Sequence, residues 1–356
     1  MHRSLSALLL ALIISAALPA AACTSMIVSA SASASGRPMI WKHRDTGAES
    51  NFLHRVERPG EIGYVGLFNG GDTLCLDEAW MGMNDAGFAI INTVAYNLPP
   101  NSPQWIDREG YVMAQALATC RSVDDFACLL DSLPRPMGVC TNFGVIDADG
   151  NGAYFETDDY KYVRYDLKDA REGVLIRTNY AYSGTPDEGM GYIRHQNVVD
   201  LLAPQISTGS LTPQSFTETV SRTLYNSLTG ECPTDTDAEW TIDQDFVPRY
   251  SSTSSIVVEG LLPGEDPSRQ IMWANISYPP CCHVVAVTID DVPAAVDATA
   301  ADGTARAPLA LEALELKELV FPIRRGSGKH YINLDAYRTI NAAQATISAD
   351  AYSTHR

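Results

Sequence analysis

Basic residues are scarce in this chain. Its 356 residues hold 25 Lys and Arg against 43 Asp and Glu, a formal net charge of −18. Nucleic acid needs Lys and Arg for its phosphates, so the deficit argues against a nucleic-acid partner. Cysteine is sparse too: Cys23, Cys75, Cys120, Cys128, Cys140, Cys232, Cys281 and Cys282 make eight. That is too few for a disulfide scaffold, and the sequence does not say which of them pair. Beyond residue 22 there is no apolar run of the roughly 20 residues that a spanning helix needs. No internal repeat is present, and no second Cys/His cluster has zinc-site spacing. Cys281-Cys-His283 stands alone and reads as a strand entry after Pro279-Pro280. What is left, 46% hydrophobic and 19% charged, is the composition of an ordinary globular protein of one large domain or two small ones.

The first 22 residues read as a secretory signal peptide. His2 and Arg3 supply the positive start, Leu8 to Ala17 the apolar core, and Ala20-x-Ala22 the cleavage signature. The expectation is a secreted or periplasmic protein without stable membrane insertion, processed by signal peptidase. Homo-oligomerisation is left open. Cleavage after Ala22 would put Cys23 first.

Coarse patterning predicts many strands. Thr24 to Ala30, a small-residue turn and Met39 to Lys42 read as a hairpin. Further strands are expected at Gly63 to Leu67, Phe88 to Thr93, Cys140 to Asp147, Ala153 to Thr157, Val174 to Thr178, Ser254 to Val258, Gln270 to Ala274 and His283 to Ile289. Met113, Leu117 and Cys120 recur at helical spacing. Ser122-Val-Asp-Asp125 reads as a capping box, and Thr212-Pro213 opens a helix to about Tyr225. Strand runs with helices grouped between them predict α+β layers rather than βαβ alternation. Residues 23–290 form the expected catalytic domain, 291–308 a linker or long loop, and 309–356 a C-terminal helical extension with a frayed last dozen residues.

Three readings of Cys23 compete. It is a buried strand cysteine, a diacylated lipoprotein cysteine anchoring an envelope binding protein, or an N-terminal nucleophile. Ala20 stands where a lipoprotein signal has an aliphatic residue such as Leu, and a strand begins at once where a tether would be flexible. The third reading has a chemical logic. A free cysteine has a pKa of about 8.5 and a free α-amine about 7.7–8.0, so one terminal residue holds both nucleophile and base. Such a site still needs an acid facing the amine and N–H donors facing the substrate carbonyl.

The rest of the chain offers these: Gly36 to Asp45, a turn and strand ending in charge; Gly82-Met-Asn-Asp-Ala-Gly-Phe88 continuing to Asn92 and Asn97; Phe143-Gly-Val-Ile-Asp147 with Tyr154-Phe-Glu156; Arg177-Thr-Asn179; and Arg249-Tyr-Ser-Ser252. With Cys23-Thr-Ser25, this order resembles the N-terminal nucleophile hydrolases of the penicillin acyltransferase and carcinine hydrolase type, more distantly the choloylglycine hydrolases. The motifs span about residues 23 to 290. The resemblance implies a four-layer αββα sandwich of two stacked, mainly antiparallel sheets. It implies hydrolysis, or acyl transfer, of a linear non-peptide amide of small-molecule type, with no cofactor and no metal. By that resemblance Cys23 is the nucleophile and Asp45 contacts its amine. Asn179 holds the amine or the substrate carbonyl, Asn92 (or Asn97) faces the oxyanion, and Arg249 is a basic neighbour. Lys42 stands where choloylglycine hydrolases have Arg, losing the planar fork. Arg44 is the other cation at hand, expected on the opposite face.

Two other signals are weighed. Asp147-Ala-Asp-Gly-Asn-Gly152 resembles the start of a calcium loop, yet its flanks are strand-like and Asp-Gly with Asn-Gly marks a hairpin. Trp41, Trp80, Trp105, Trp240 and Trp273 could line an acyl pocket, although core roles suit most of them.

Overall fold

The computed structural model describes residues 22–99, 107–298, 304–324 and 330–354. Residues 1–21, hence nearly all of the expected signal peptide, and Trp105 lie outside them. The chain runs through β1 (Thr24–Val28), β2 (Met39–Asp45), β3 (Asn51–Val56), β4 (Tyr64–Asn69), β5 (Met81–Asn84) and β6 (Ala89–Val94). Helices α1 (Glu109–Thr119) and α2 (Val123–Ser132) follow, then β7 (Thr141–Ile146), β8 (Gly152–Thr157), β9 (Tyr162–Asp166) and β10 (Val174–Arg177). After α3 (Tyr192–Thr208) come β11 (Trp240–Ile242), β12 (Ser252–Glu259), β13 (Ile271–Asn275) and β14 (Val285–Thr288). The C-terminal part holds α4 (Pro308–Val320), β15 (Ile323–Arg324), β16 (His330–Asn333) and α5 (Leu334–Thr354).

Two antiparallel sheets dominate. One has six strands in the order β10-β1-β2-β12-β13-β14, the other seven in the order β3 to β9. Strand alternation gives each sheet an inner and an outer face. Ile27 and Ile40 pack inward with Ile256 and Val258, facing Ile146 and Tyr154 of the second sheet in the core between the sheets, whereas Phe143 points outward to Phe126 of α2. Met26, Val28, Trp41 and Val257 pack outward with Val198, Leu202 and Phe216 under α3 and the helical turns after it. α1 covers the outer face of the seven-stranded sheet at β4 to β6. The expected αββα sandwich is therefore what the chain builds. Among the described residues no helix is long and apolar enough to cross a membrane.

Local chemistry explains several elements. The Ser122 hydroxyl accepts from Asp125 N and the Asp125 carboxylate accepts from Ser122 N, so α2 opens on the predicted capping box. Gly82 lets α1 approach β5, since a Cβ there would lie 2.5 Å from Leu117. Asn84 in the same motif donates to the Leu117 and Cys120 carbonyls at the end of α1. Asp147 accepts from Asp149 N, Asn151 N and Val123 N, which makes the calcium-like stretch a tight turn that also starts α2.

Other expectations are corrected. The helix from Thr212-Pro213 ends at Arg222 rather than near Tyr225. Of the C-terminal dozen residues, the described 345–354 are helical, with Ser348 and Tyr352 buried. Tyr352 packs 4.8 Å from the Trp273 ring and bonds Thr217, a partner the local sequence does not show. The stretch expected as a linker or long loop is a loop over its described residues before α4, held where Leu53 N donates to Val296 O and Gly71 pairs with Ala305. All eight cysteines are free thiols.

Candidate active site

Cys23 sits at the start of β1, 5% exposed. Antiparallel pairing of β1 with β2 puts Thr24 opposite His43 and brings the end of β2 beside Ala22 and Cys23. Ala22 N donates to Asp45 O at 3.3 Å, and Cys23 Sγ lies 4.0 Å from the same carbonyl. The hairpin thus brings the Asp45 backbone beside Ala22 and Cys23. The Asp45 carboxylate is buried on the outer face of β2. Its Oδ2 accepts from Arg249 Nε at 2.8 Å and Nη2 at 2.6 Å, and Oδ1 accepts from Ser252 Oγ at 2.6 Å. Arg249 Nη2 also donates to Ala22 O at 3.1 Å. Arg249 therefore spans Asp45 and the residue before Cys23.

Asn179 follows β10. Its Nδ2 donates to Val94 O at 2.9 Å, and its Oδ1 accepts from Arg194 Nη2 at 2.7 Å. Arg194, on α3, was not singled out in the sequence. Its Nη1 donates to Cys23 O and to Thr24 Oγ1, both at 2.7 Å. The fork thus ties Cys23, 171 residues before Arg194, to Asn179. Gly191 and Gly209, both at positive φ, bracket α3, and Val198 and Leu202 lie on its inward stripe. That spacing was the available signal. The absence of a side-chain cap and the interior Pro204 obscured it.

Lys42 and Arg44 share the inner face of β2, two residues apart, whereas Arg44 was expected opposite Lys42. A period of two puts alternate residues, not neighbours, together. Lys42 Nζ donates to Trp80 O at 2.7 Å and to Asn92 Oδ1 at 2.5 Å. Asn92 Nδ2 in turn donates to Glu109 Oε2 at 2.5 Å and, more weakly, to Thr141 Oγ1 at 3.4 Å. Asn92, expected to face an oxyanion, is instead clamped between a buried cation and a buried carboxyl. Asn97 is spent on its loop: Nδ2 donates to Ala181 O and Thr185 O, and Oδ1 accepts from Ala181 N. Arg44 bonds Asn51 and Asn69 and lies over the Trp80 ring at 4.8 Å. Trp41 and Trp273 are core residues and Trp240 is surface-exposed, so among the described tryptophans only Trp80 borders this cluster.

The electrostatics converge on Cys23. Burial lowers the Lys42 pKa to about 8, with the Cys23 charge opposing and Arg44 adding to the shift. Burial likewise lowers Arg44 to about 10, again against Cys23. Arg194 falls to about 10, through burial first and then Arg249, while Asp45 and Cys23 pull it up. Burial also weighs on Arg249, but the charge of Asp45 and its hydrogen bond win and hold Arg249 above its ordinary value. Lys42, Arg44, Arg194 and Arg249 therefore all lie near enough to Cys23 to feel its charge. Tyr96, half-buried, is raised to about 12 by burial and then by Cys23, which places its hydroxyl in the same field. Glu109 is pushed up to about 8 by burial and by Asp107. A cavity of about 450 Å³ lined by Arg37, Glu259, Trp273 and Tyr352 includes none of these groups.

Fold and site together define a layered α+β protein with a buried cysteine opening a central strand, ringed by cations. No family model matches the chain, and no curated protein matches it in sequence. Solved structures do. A mutant of conjugated bile acid hydrolase from Clostridium perfringens is 12% identical, with a TM-score of 0.45 over 76% of this chain and 93% of that one. The Caenorhabditis elegans ortholog of N-acylethanolamine-hydrolyzing acid amidase is 13% identical, with a TM-score of 0.43 over 68% and 94%. Penicillin V acylase from Agrobacterium tumefaciens is 13% identical, with a TM-score of 0.44 over 76% and 87%.

Proposed function

We propose that this chain is an exported cysteine amidohydrolase of the N-terminal nucleophile kind, cleaving a linear amide outside the peptide backbone. The observation that carries the reading is the Ala22–Cys23 junction. Asp45 O and Arg249 Nη2 hold Ala22 through its N–H and carbonyl, and Arg194 holds the Cys23 carbonyl. Cleavage after Ala22 frees the Cys23 amine in that socket and releases Arg249 Nη2 from the Ala22 carbonyl.

The chemistry then runs in two halves. The α-amine takes the thiol proton and Sγ attacks the amide carbonyl carbon. The C–N bond breaks, the amine product leaves with the proton, and a thioester remains on Cys23. Water adds to the thioester and gives its proton to the α-amine. The C–S bond then breaks, and the thiol and a carboxylic acid are released. An amine acceptor in place of water would make the same intermediate serve acyl transfer. The oxyanion needs an N–H donor. With the Asn92 and Asn97 amides engaged, Lys42 is the better-placed side chain: it has one N–H beyond the two in use, and its charge acts on Cys23.

The test is intact-mass analysis of the exported protein incubated with a panel of N-acyl amines, penicillins and aminoacyl amides. A free N-terminal Cys23, an acyl adduct on it, and loss of that adduct in Cys23→Ser are expected. A diacylglyceryl-modified Cys23 would sink the reading in favour of a lipid-anchored protein. Full turnover by protein with Met retained before Cys23 would remove the α-amine from the mechanism.

A further inference from the structure

The outer face of β2 carries Trp41, His43 and Asp45, and a row of buried hydroxyls joins them. Trp41 Nε1 donates to Ser255 Oγ at 2.9 Å. Ser255 Oγ and Ser221 Oγ are 2.7 Å apart, and Ser221 Oγ lies 3.1 Å from His43 Nδ1. His43 Nε2 lies 2.8 Å from Ser252 Oγ, which donates to Asp45 Oδ1 at 2.6 Å. With a neutral ring, the direction of this chain follows from its carboxylate end. An indole N–H can only donate and a carboxylate can only accept, while each hydroxyl has one proton to give. Ser255 must therefore donate to Ser221, Ser221 to His43 Nδ1, and His43 Nε2–H to Ser252. In that arrangement the ring carries its proton on Nε2, and its 3.7 Å approach to Asp45 is not an ion pair.

We propose that His43 is a positioning residue for the Cys23 site, holding Asp45 through this one-way chain of hydrogen bonds. The proposal rests on the reading of Cys23 as the nucleophile. By occupying Oδ1, Ser252 leaves Oδ2 to Arg249, so the chain sets which carboxylate oxygen faces the Arg249 fork. A longer approach of Ser252 Oγ to Val247 O, 3.4 Å, is the weaker alternative for its proton. Also facing His43 are Asp45 on its own strand, Arg249 before β12 and Arg194 on α3, besides the Trp41 ring at 6.4 Å. Burial outweighs Asp45 and lowers His43 to about 4, which keeps the ring neutral at neutral pH. Protonation would add a donor at Nδ1, turn the Ser221 hydroxyl around and leave one buried proton of the row without an acceptor.

The experiment uses mature protein with ¹⁵N-labelled histidine rings, His43 being assigned by comparison with His43→Gln. A ring protonated at Nε2 and bare at Nδ1 is expected near neutral pH. Iodoacetamide alkylation of Cys23, read by peptide mass spectrometry, is followed in parallel. His43→Leu should slow it about fivefold, the worth of one hydrogen bond between neutral groups, and His43→Gln, which restores an N–H near the Nε2 position, should recover most of the rate. Ser221→Ala keeps the imidazole but removes the hydroxyl that fixes its tautomer; mixed tautomers and an intermediate rate are expected, and it serves if His43→Leu does not fold. An Nδ1–H tautomer, or equal rates in wild type and both variants, overturns the relay. A wild-type Cys23 no more reactive than free cysteine overturns the nucleophile reading instead, and with it this role.

Discussion

Arg194 shows what one side chain does at this site. Its fork meets Cys23 O, Thr24 Oγ1 and Asn179 Oδ1, three buried acceptors that water does not reach. Lysine would keep the charge but lose the planar donor array. Arg194→Lys should therefore cost about 2 kcal/mol of stability by urea unfolding, in line with acceptors left unmet, and slow alkylation of Cys23. A variant as stable and as reactive as wild type would show that the fork is dispensable. Sequence reading named Cys23, Asp45, Asn179, Arg249 and Lys42, each inside a short local motif. It passed over Arg194, Glu109, Tyr96 and His43, because what makes them matter is a partner far along the chain. Asn92 is the instructive case: its motif and strand were read correctly, but its amide direction depends on Glu109 from α1.

Elements were legible where their signals are local. The β1–β2 hairpin, β12 and β13 follow their alternation, and α2 follows its capping box. Ser122→Ala removes the hydroxyl that accepts from Asp125 N, and should cost about 1 kcal/mol. Thermal unfolding of that variant measures the loss, and an unchanged midpoint would mean that α2 is held by packing of Phe126 and Leu130 alone. α3 was not legible. Its first residue follows a left-handed Gly191, it lacks a side-chain cap, and only two of its apolar residues are fully buried. Tertiary packing, not propensity, supplies most of such a helix's stability.

For the whole molecule, the layering puts ionisable groups where water is excluded, and that has a pH signature. Burial lowers His43 and His195 to about 4. Between pH 6.5 and about 4 the unfolded chain binds a proton at His43 that the folded chain refuses, so this contribution to stability falls as pH falls across that window. Glu109 and Asp243, raised to about 8 and about 7 by burial, act in the opposite sense over part of the range. The difference between wild type and His43→Gln in urea unfolding isolates the histidine. The gap should change in the variant's favour as pH drops, and a pH-independent gap would show that His43 stays neutral in both states.

By itself the amino-acid sequence determined the strands, the capped helix, the hairpin of β1 and β2 and the layered class. Those depend on periodicity and on contacts within a few residues, or across one tight turn. Only the tertiary structure decided which polar groups meet. Asp45 with Arg249, Cys23 with Arg194, and Asn92 between Lys42 and Glu109 join residues from different elements. A buried hydrogen bond is set by the distance and direction of two side chains, and neither quantity exists until the two sheets have closed on their common core.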